Sequence, residues 1–301
     1  MTLKQVAKHF LPPIVIDVGR YLLKVNEHAQ EPEGLELPEW EYVLEGWSSK
    51  DLRIKGWNVE SIVETQKARW PEFLRLVQGR GSVNVATPLG VAHEGSVPSN
   101  NDYAAHNSMM AYAYAIALAA RKKDRISLLD WGGGIGHYYI IGKALLPEVT
   151  IDYHCKDLPL LCEGGRELLP EANFYENEEE CFARAYDLVL ASSSLHYCED
   201  WQRIAQRLAL ATRSYLYITR LPIIHRKASF VVVQRPYRYG YETEYLCWFL
   251  NREEFLTYIS TLEMDLVREF LIQERPQVHE APEQGEYRGF LFRPRRREIK
   301  E

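Results

Sequence analysis

A short apolar run, Ser127–Trp131, ends in three consecutive glycines and passes straight into a helix-prone segment. Glycine has no Cβ, so a strand that ends this way can turn sharply and bring bare backbone against a ligand. The segments that follow repeat one theme. A helical pattern from about Gly136 to Leu146 is stopped by Pro147, and Thr150–Lys156 reads as a second strand. A helix at Leu160–Leu169, stopped by Pro170, precedes a third strand at Ala172–Tyr175. The strongly apolar Tyr186–Ser192 is a fourth strand, Trp201–Ala211 a helix, and Ser214–Thr219 a fifth strand. Strands alternating with helices predict an α/β fold whose parallel sheet is covered on both faces. The end of the chain breaks the rule. The helix Arg252–Thr261 is followed by a strand-like Asp265–Ile272 and a last strand at Tyr287–Phe292, and their short link suits an antiparallel hairpin.

The pattern divides the chain. Residues 1–102 read as an N-terminal extension, mainly helical or irregular, and residues 103–301 as a ligand-binding domain with an insertion at about 221–251. In the extension, Val59–Val77 places Ile62, Val63, Gln66, Trp70, Phe73, Leu74 and Val77 on one helical face, with Pro71 expected to break or kink it. Residues 79–101 read as loop, and Tyr103–Arg121 as an Ala-rich helix. The insertion is too long for a simple loop. It holds a β-like run, Ser229–Gln234, and then dense aromatics at Tyr237, Tyr239, Tyr241, Tyr245, Trp248 and Phe249 beside Arg235 and Arg238. Such a surface suits a sugar or another flat polar ligand, or else covers the sheet.

Composition excludes several classes. With 301 residues, 46% of them hydrophobic, the chain can build a core without disulfide or metal staples. A net charge of −6 argues against a nucleic-acid partner, and the arginine run Arg293, Arg295, Arg296 and Arg297 reads as a solvated tail. Five cysteines without a CxxC pair, and nine scattered histidines, suggest neither a disulfide framework nor a metal site. No secretory signal is read at the start. Phe10–Val18 is apolar but short and interrupted by Pro12 and Pro13, so at most it makes peripheral membrane contact. These features describe a cytoplasmic protein. They say nothing about its oligomeric state.

The segment Asp130–Gly136 has the order D-x-G-x-G-x-G. A dinucleotide brings a pyrophosphate, which benefits from free N–H groups at a helix N-terminus. S-adenosylmethionine has no phosphate and carries an ammonium and a sulfonium, for which a nearby carboxylate makes physical sense. Twenty-one residues beyond Gly136, at the end of the second strand, Asp157 can accept from the hydroxyls of a ribose, whichever cofactor bears it. Its other reading is a helix N-cap. The pair Tyr139 and Lys143 matches the YxxxK of short-chain dehydrogenases, but it lies on the helix after the glycine loop and cannot reach a nicotinamide.

From Tyr103 to Pro294 the chain resembles the class I S-adenosylmethionine-dependent methyltransferases. The resemblance is carried by LLDWGGGIG at 128–136, YHCKD at 153–157, YDLVLASSSLHY at 186–197 and SYLYITRLP at 214–222. More narrowly, DWGGGIGHYY, SSSLHY and TEYLCWFLNR (243–252) are similar to a family of methyltransferases associated with bacterial surface-polysaccharide gene clusters. The resemblance implies a Rossmann-like sheet of seven strands, mostly parallel with the last antiparallel, and a cofactor lying across the C-terminal ends of the first strands. It implies that Asp130, Gly132, Gly134 and Gly136 hold the methionine part, Asp157 the ribose, and Glu178 the adenine edge. The family pattern has an Asp followed by an apolar residue where this chain has Asn177-Glu178-Glu179. Ser193 and Ser194 would border the sulfonium, His137 would contact the cofactor or cap the loop, and Tyr103 and His106 would cover the cofactor or simply pack.

The leading expectation is O-methylation of a sugar or glycan-related small molecule. Methyl transfer is a displacement at carbon that mainly needs alignment, and a hydroxyl acceptor also benefits from a base. His196, after the fourth strand, is the first choice for that base and His225, after the fifth, the second; His196 could instead cap or pack on the next helix. The alternatives are an NAD-dependent oxidoreductase and a methyltransferase-like module that binds without turnover.

Overall fold

A computed structural model describes residues 37–78 and 100–295, with side chains in the second stretch described from Tyr103 onward. The proposed loop at 79–101 and the apolar stretch Phe10–Val18 fall outside the described residues or almost entirely so. Among the described residues there are ten strands: β1 (Trp40–Tyr42), β2 (Arg125–Trp131), β3 (Thr150–Lys156), β4 (Asn173–Tyr175), β5 (Tyr186–Ser192), β6 (Thr212–Ile224), β7 (Phe230–Gln234), β8 (Tyr245–Asn251), β9 (Met264–Leu271) and β10 (Glu286–Pro294). The helices are α1 (Glu60–Gln78), α2 (Asn100–Ala120), α3 (His137–Leu145), α4 (Pro159–Leu168), α5 (Glu178–Cys181), α6 (Trp201–Leu210) and α7 (Arg252–Thr261).

The seven strands expected from the sequence lie in the order β4-β3-β2-β5-β6-β10-β9. The first five are parallel to one another, and β10 runs antiparallel to both β6 and β9. Every residue of β5 is buried, and in β2 all but Arg125 are, as a strand covered on both faces requires. The expected count of seven is corrected by three further strands. β8 pairs with β6, β7 with β8, and β1 with β7. Most of the segment read as an insertion is therefore strand. Its residues Phe230–Gln234 are all buried, while the three-residue β1 is too short to leave a periodic signal.

β6 is also longer than expected. Up to Thr219 one of its edges pairs with β5; at Ile223 and Ile224 that edge pairs with β8. Between the two partners Arg220 takes a left-handed φ of 49°, and the sheet forks. The turn Leu195–Tyr197 fills the fork, and the Tyr197 hydroxyl donates to Gln234 Oε1 at 3.0 Å.

Residues 38–78 are tied into this body. Arg235, buried, pairs with Glu41 at 2.7 Å and with the fully buried Glu244 at 3.2 Å, which fastens β1 to β7 and β8. Helix α1 continues through Pro71 where a break or kink was expected. Trp70 and Phe73 flank the proline and anchor it against the ring of His137 at the start of α3. Farther along, Lys67 pairs with Glu167 of α4, and the Leu160 N–H donates to Asn58 Oδ1 at 3.2 Å. Among the described residues no helix is long and apolar enough to cross a membrane.

Candidate active site

In a parallel sheet, ligands bind at the C-terminal strand ends where successive crossovers depart in opposite directions. Here that point lies between β2 and β5, because the chain steps from β2 to β3 on one side and later returns to β5 on the other. A cavity opens there. Its floor is the turn Gly132–Gly134 and Ser192–Ser194; one wall is Lys156–Leu158 with Leu161, and Tyr138 and His137 of α3 lie beneath. Trp57 and Gln66 close it from above, and Tyr197, Cys198 and Glu178 complete the rim.

The glycine turn has this shape because its amides are claimed by protein groups. Gly132 N–H donates to Lys156 O at 2.7 Å, Gly134 N–H to Asp157 Oδ2 at 2.7 Å, and Gly136 N–H to Gly133 O at 3.1 Å. Gly132 and Gly134 have φ of 74° and 60°, which favours glycine. A Cβ on Gly132 would lie 2.3 Å from Ser194 Cβ. That close approach is fixed by Ser194 Oγ, which donates to Trp131 O at 2.8 Å and so latches the end of β5 to the turn.

Asp157 also accepts from the Leu158 N–H at 2.7 Å. Burial raises its carboxyl above the usual range, and the two backbone donors pull it back down. Asp130 is placed differently. It is fully buried, takes the Tyr153 hydroxyl on Oδ2 at 2.6 Å, and does not line the cavity. Desolvation pushes its carboxyl up to about 7. The turn packs directly on it, since a Cβ on Gly133 would stand 2.5 Å from Asp130 Cγ.

The other candidate residues separate into two groups. Gly132, Gly134, His137, Asp157, Glu178, Ser193 and Ser194 line the cavity together. Glu178 reaches it from the start of α5 with its carboxylate paired to Arg203 at 3.3 Å and Arg207 at 3.5 Å. His137 is held neutral, its imidazole lowered to about 3 by burial, and its Nε2 has no hydrogen-bond partner. Gly136 does not line the cavity. With φ of 98° it caps α3, where a Cβ would lie 2.5 Å from Leu169.

Neither His196 nor His225 lines the cavity, and the same holds for Tyr103 and His106. His196 points into the fork of the sheet, fully buried, its ring 4.1 Å from that of Tyr197. His225 is carried away because β6 continues five residues past Thr219; its half-exposed ring lies 3.2 Å from Glu286. Tyr103 and His106 are exposed on the first turns of α2, and Tyr103 borders a separate depression with Arg275 and Tyr287. Neither Gln66 nor Tyr197 is marked by the sequence as a site residue, while Trp57 is one of the tryptophans expected to bring the N-terminal segment over this domain. Gln66 had one visible signal, an amide inside the apolar face of α1.

The buried imidazole of His196 carries a pH signature. Burial, with the Arg220 charge acting in the same direction, lowers it from 6.5 to about 3. A depressed histidine contributes stability that is present above its unfolded value and is lost as pH falls towards its folded one. His196→Leu should therefore make the fall in unfolding free energy between pH 6.5 and 5 shallower by about 1 kcal/mol per pH unit. Urea titrations of both proteins at several pH values read this directly, and parallel profiles would show that His196 titrates normally in the folded chain.

No protein-family model matches the chain, and no curated protein matches it in sequence. Solved structures do. An S-adenosylmethionine-dependent methyltransferase from Clostridium acetobutylicum superposes with a TM-score of 0.42 at 9% identity, over 63% of this chain and 92% of that one. The 1,6-didemethyltoxoflavin-N1-methyltransferase of Burkholderia thailandensis, solved with 1,6-didemethyltoxoflavin and S-adenosylhomocysteine, gives 0.41 at 14% identity, over 68% and 95%. An O-methyltransferase family protein from the same organism gives 0.43 at 12% identity, over 81% and 75%.

Proposed function

We propose that this cavity binds S-adenosylmethionine and that the chain is a methyltransferase acting on a small-molecule acceptor. One observation carries the choice of cofactor. The amides of Gly132, Gly134 and Gly136, which a pyrophosphate would need, are already bonded to Lys156, Asp157 and Gly133. With the Asp157 carboxylate beside the turn as well, the site suits a ligand with hydroxyls and a cationic end better than one with phosphates.

S-adenosylmethionine supplies a methyl group made electrophilic by its sulfonium. The protein's task is then to hold and align. Asp157 has lone pairs left on both oxygens to accept from ribose hydroxyls, and Leu158 and Leu161 offer apolar surface for the adenine. Ser193 and Ser194, with Tyr138 below, form the wall towards the acceptor side. The aromatic surfaces of Trp57 and Tyr197 support an acceptor with a ring, such as a sugar. Neither His196 nor His225 reaches the cavity, so neither is proposed here as the base that a sugar hydroxyl would need.

Calorimetric titration tests the cofactor. S-adenosylhomocysteine is expected to bind at one site per chain while NAD releases no heat of binding. Binding of NAD alone would overturn the proposal in favour of an oxidoreductase.

A further inference from the structure

We infer that Gln66, rather than Asp130, receives the ammonium of the methyl donor's amino-acid end. The inference rests on the S-adenosylmethionine reading above. That end of the molecule presents two opposite needs, a carboxylate that only accepts hydrogen bonds and an ammonium that only donates them. The cavity holds a match for each. Trp131 lines it, and the buried indole N–H of that residue, without a partner, is the donor we assign to the carboxylate. For the ammonium an acceptor oxygen must face the glycine turn from the open side.

Asp130 does not meet that condition. It is fully buried, packs against Gly133, spends Oδ2 on the Tyr153 hydroxyl and is absent from the cavity lining, so its Oδ1, which also lacks a partner, does not face a ligand there. Gln66 meets it. It is 7% exposed and lines the cavity, and its Oε1 has no partner. That oxygen lies 3.3 Å from where a Cβ on Gly134 would stand, directly over the turn. Its position is built rather than accidental. Helix α1 is fastened on both sides of the residue, by Glu242 N–H to Ser61 Oγ at 3.0 Å and by Lys67 to Glu167. A buried carbonyl without a donor is costly, and an ammonium is the strongest donor a ligand can bring to it. A neutral amide also adds no further anion beside Asp157.

Two ligands separate this role from a general one: S-adenosylhomocysteine, and methylthioadenosine, which keeps the nucleoside and lacks the amino-acid end. Both are titrated calorimetrically into the full chain and into Gln66→Ala, Gln66→Glu and Asp130→Asn. Gln66→Ala should weaken S-adenosylhomocysteine about tenfold or more and leave methylthioadenosine within about twofold, the loss of one charge-assisted hydrogen bond. Gln66→Glu, which keeps an acceptor oxygen, should retain S-adenosylhomocysteine. Asp130→Asn should leave the ratio of the two affinities as in the wild type. The inference is overturned if Gln66→Ala binds S-adenosylhomocysteine unchanged, if it weakens both ligands alike, or if Asp130→Asn alters the ratio as Gln66→Ala should. Should the wild type bind neither ligand, the donor reading itself fails, a result distinguishable from failure at Gln66.

Discussion

Gly134→Val is expected to leave a folded protein whose affinity for S-adenosylhomocysteine has fallen more than about 100-fold. Two effects meet at this position. Gly134 has φ of 60°, a conformation that costs a β-branched residue roughly 1–3 kcal/mol. The new side chain would also stand in the cavity, where a Cβ already lies 3.3 Å from Gln66 Oε1. The strain lowers stability and the obstruction removes binding, and a second glycine separates them. Gly46 has φ of 57° in a turn after β1, and a Cβ there meets only Val231 at an ordinary 3.7 Å. Gly46→Val should lose comparable stability and keep its affinity. Equal affinities in the two variants would mean that the ligand does not lie against the turn.

Asp157→Ala is the second large effect. In the wild type both carboxylate oxygens accept backbone N–H groups, from Gly134 and Leu158, so the side chain shapes the turn and braces the residue that precedes α4. Removing it strands the Gly134 amide and takes away the acceptor for the ribose hydroxyls. Hydrogen bonds to charged groups contribute about 1.5–3 kcal/mol each, so losing two ribose bonds should weaken binding by at least about 100-fold. Calorimetric titration with S-adenosylhomocysteine, beside a thermal unfolding curve, reads both consequences. If the variant melts earlier yet binds as tightly as the wild type, Asp157 only braces the turn; the helix-cap role its sequence position allowed is not the one it takes, because Leu158 is the N-cap of α4 and no side chain caps it.

The two variants also show where sequence reading was strong. The glycine turn and Asp157 were legible because local rules govern them: a strand end, residues that accept positive φ, and a carboxylate at the next strand end. The five parallel strands were legible through their apolar runs, and the terminal hairpin through its short link. What escaped depends on contacts distant in sequence. Gln66 reaches the cavity because α1 packs across α3 and α4, and Trp57 because its ring stacks on Tyr245 at 4.4 Å, and no local pattern encodes either contact. His225 looked close to the site as long as the fifth strand was taken to end at Thr219. The strand runs on to Ile224 because β10 pairs with it as far as Ile223 and β8 pairs with Ile223 and Ile224. His196 sits one turn beyond Ser193, but the fork at Arg220 turns its ring into the protein interior rather than into the cavity. Asp130 is expected from the motif to hold the methionine part, whereas its carboxylate lies behind the turn, against Gly133 and the Tyr153 hydroxyl, a side that the sequence leaves open.

The central claim is that one cavity, between the glycine turn and Asp157, holds the methyl donor. A crystal structure grown with S-adenosylhomocysteine tests it most directly. The account predicts ligand density along Gly132–Gly134, with the ribose hydroxyls on Asp157, the adenine against Leu158 and Leu161, and the amino group on Gln66. Density at any other place on the chain, with this cavity left empty at saturating ligand, would contradict it.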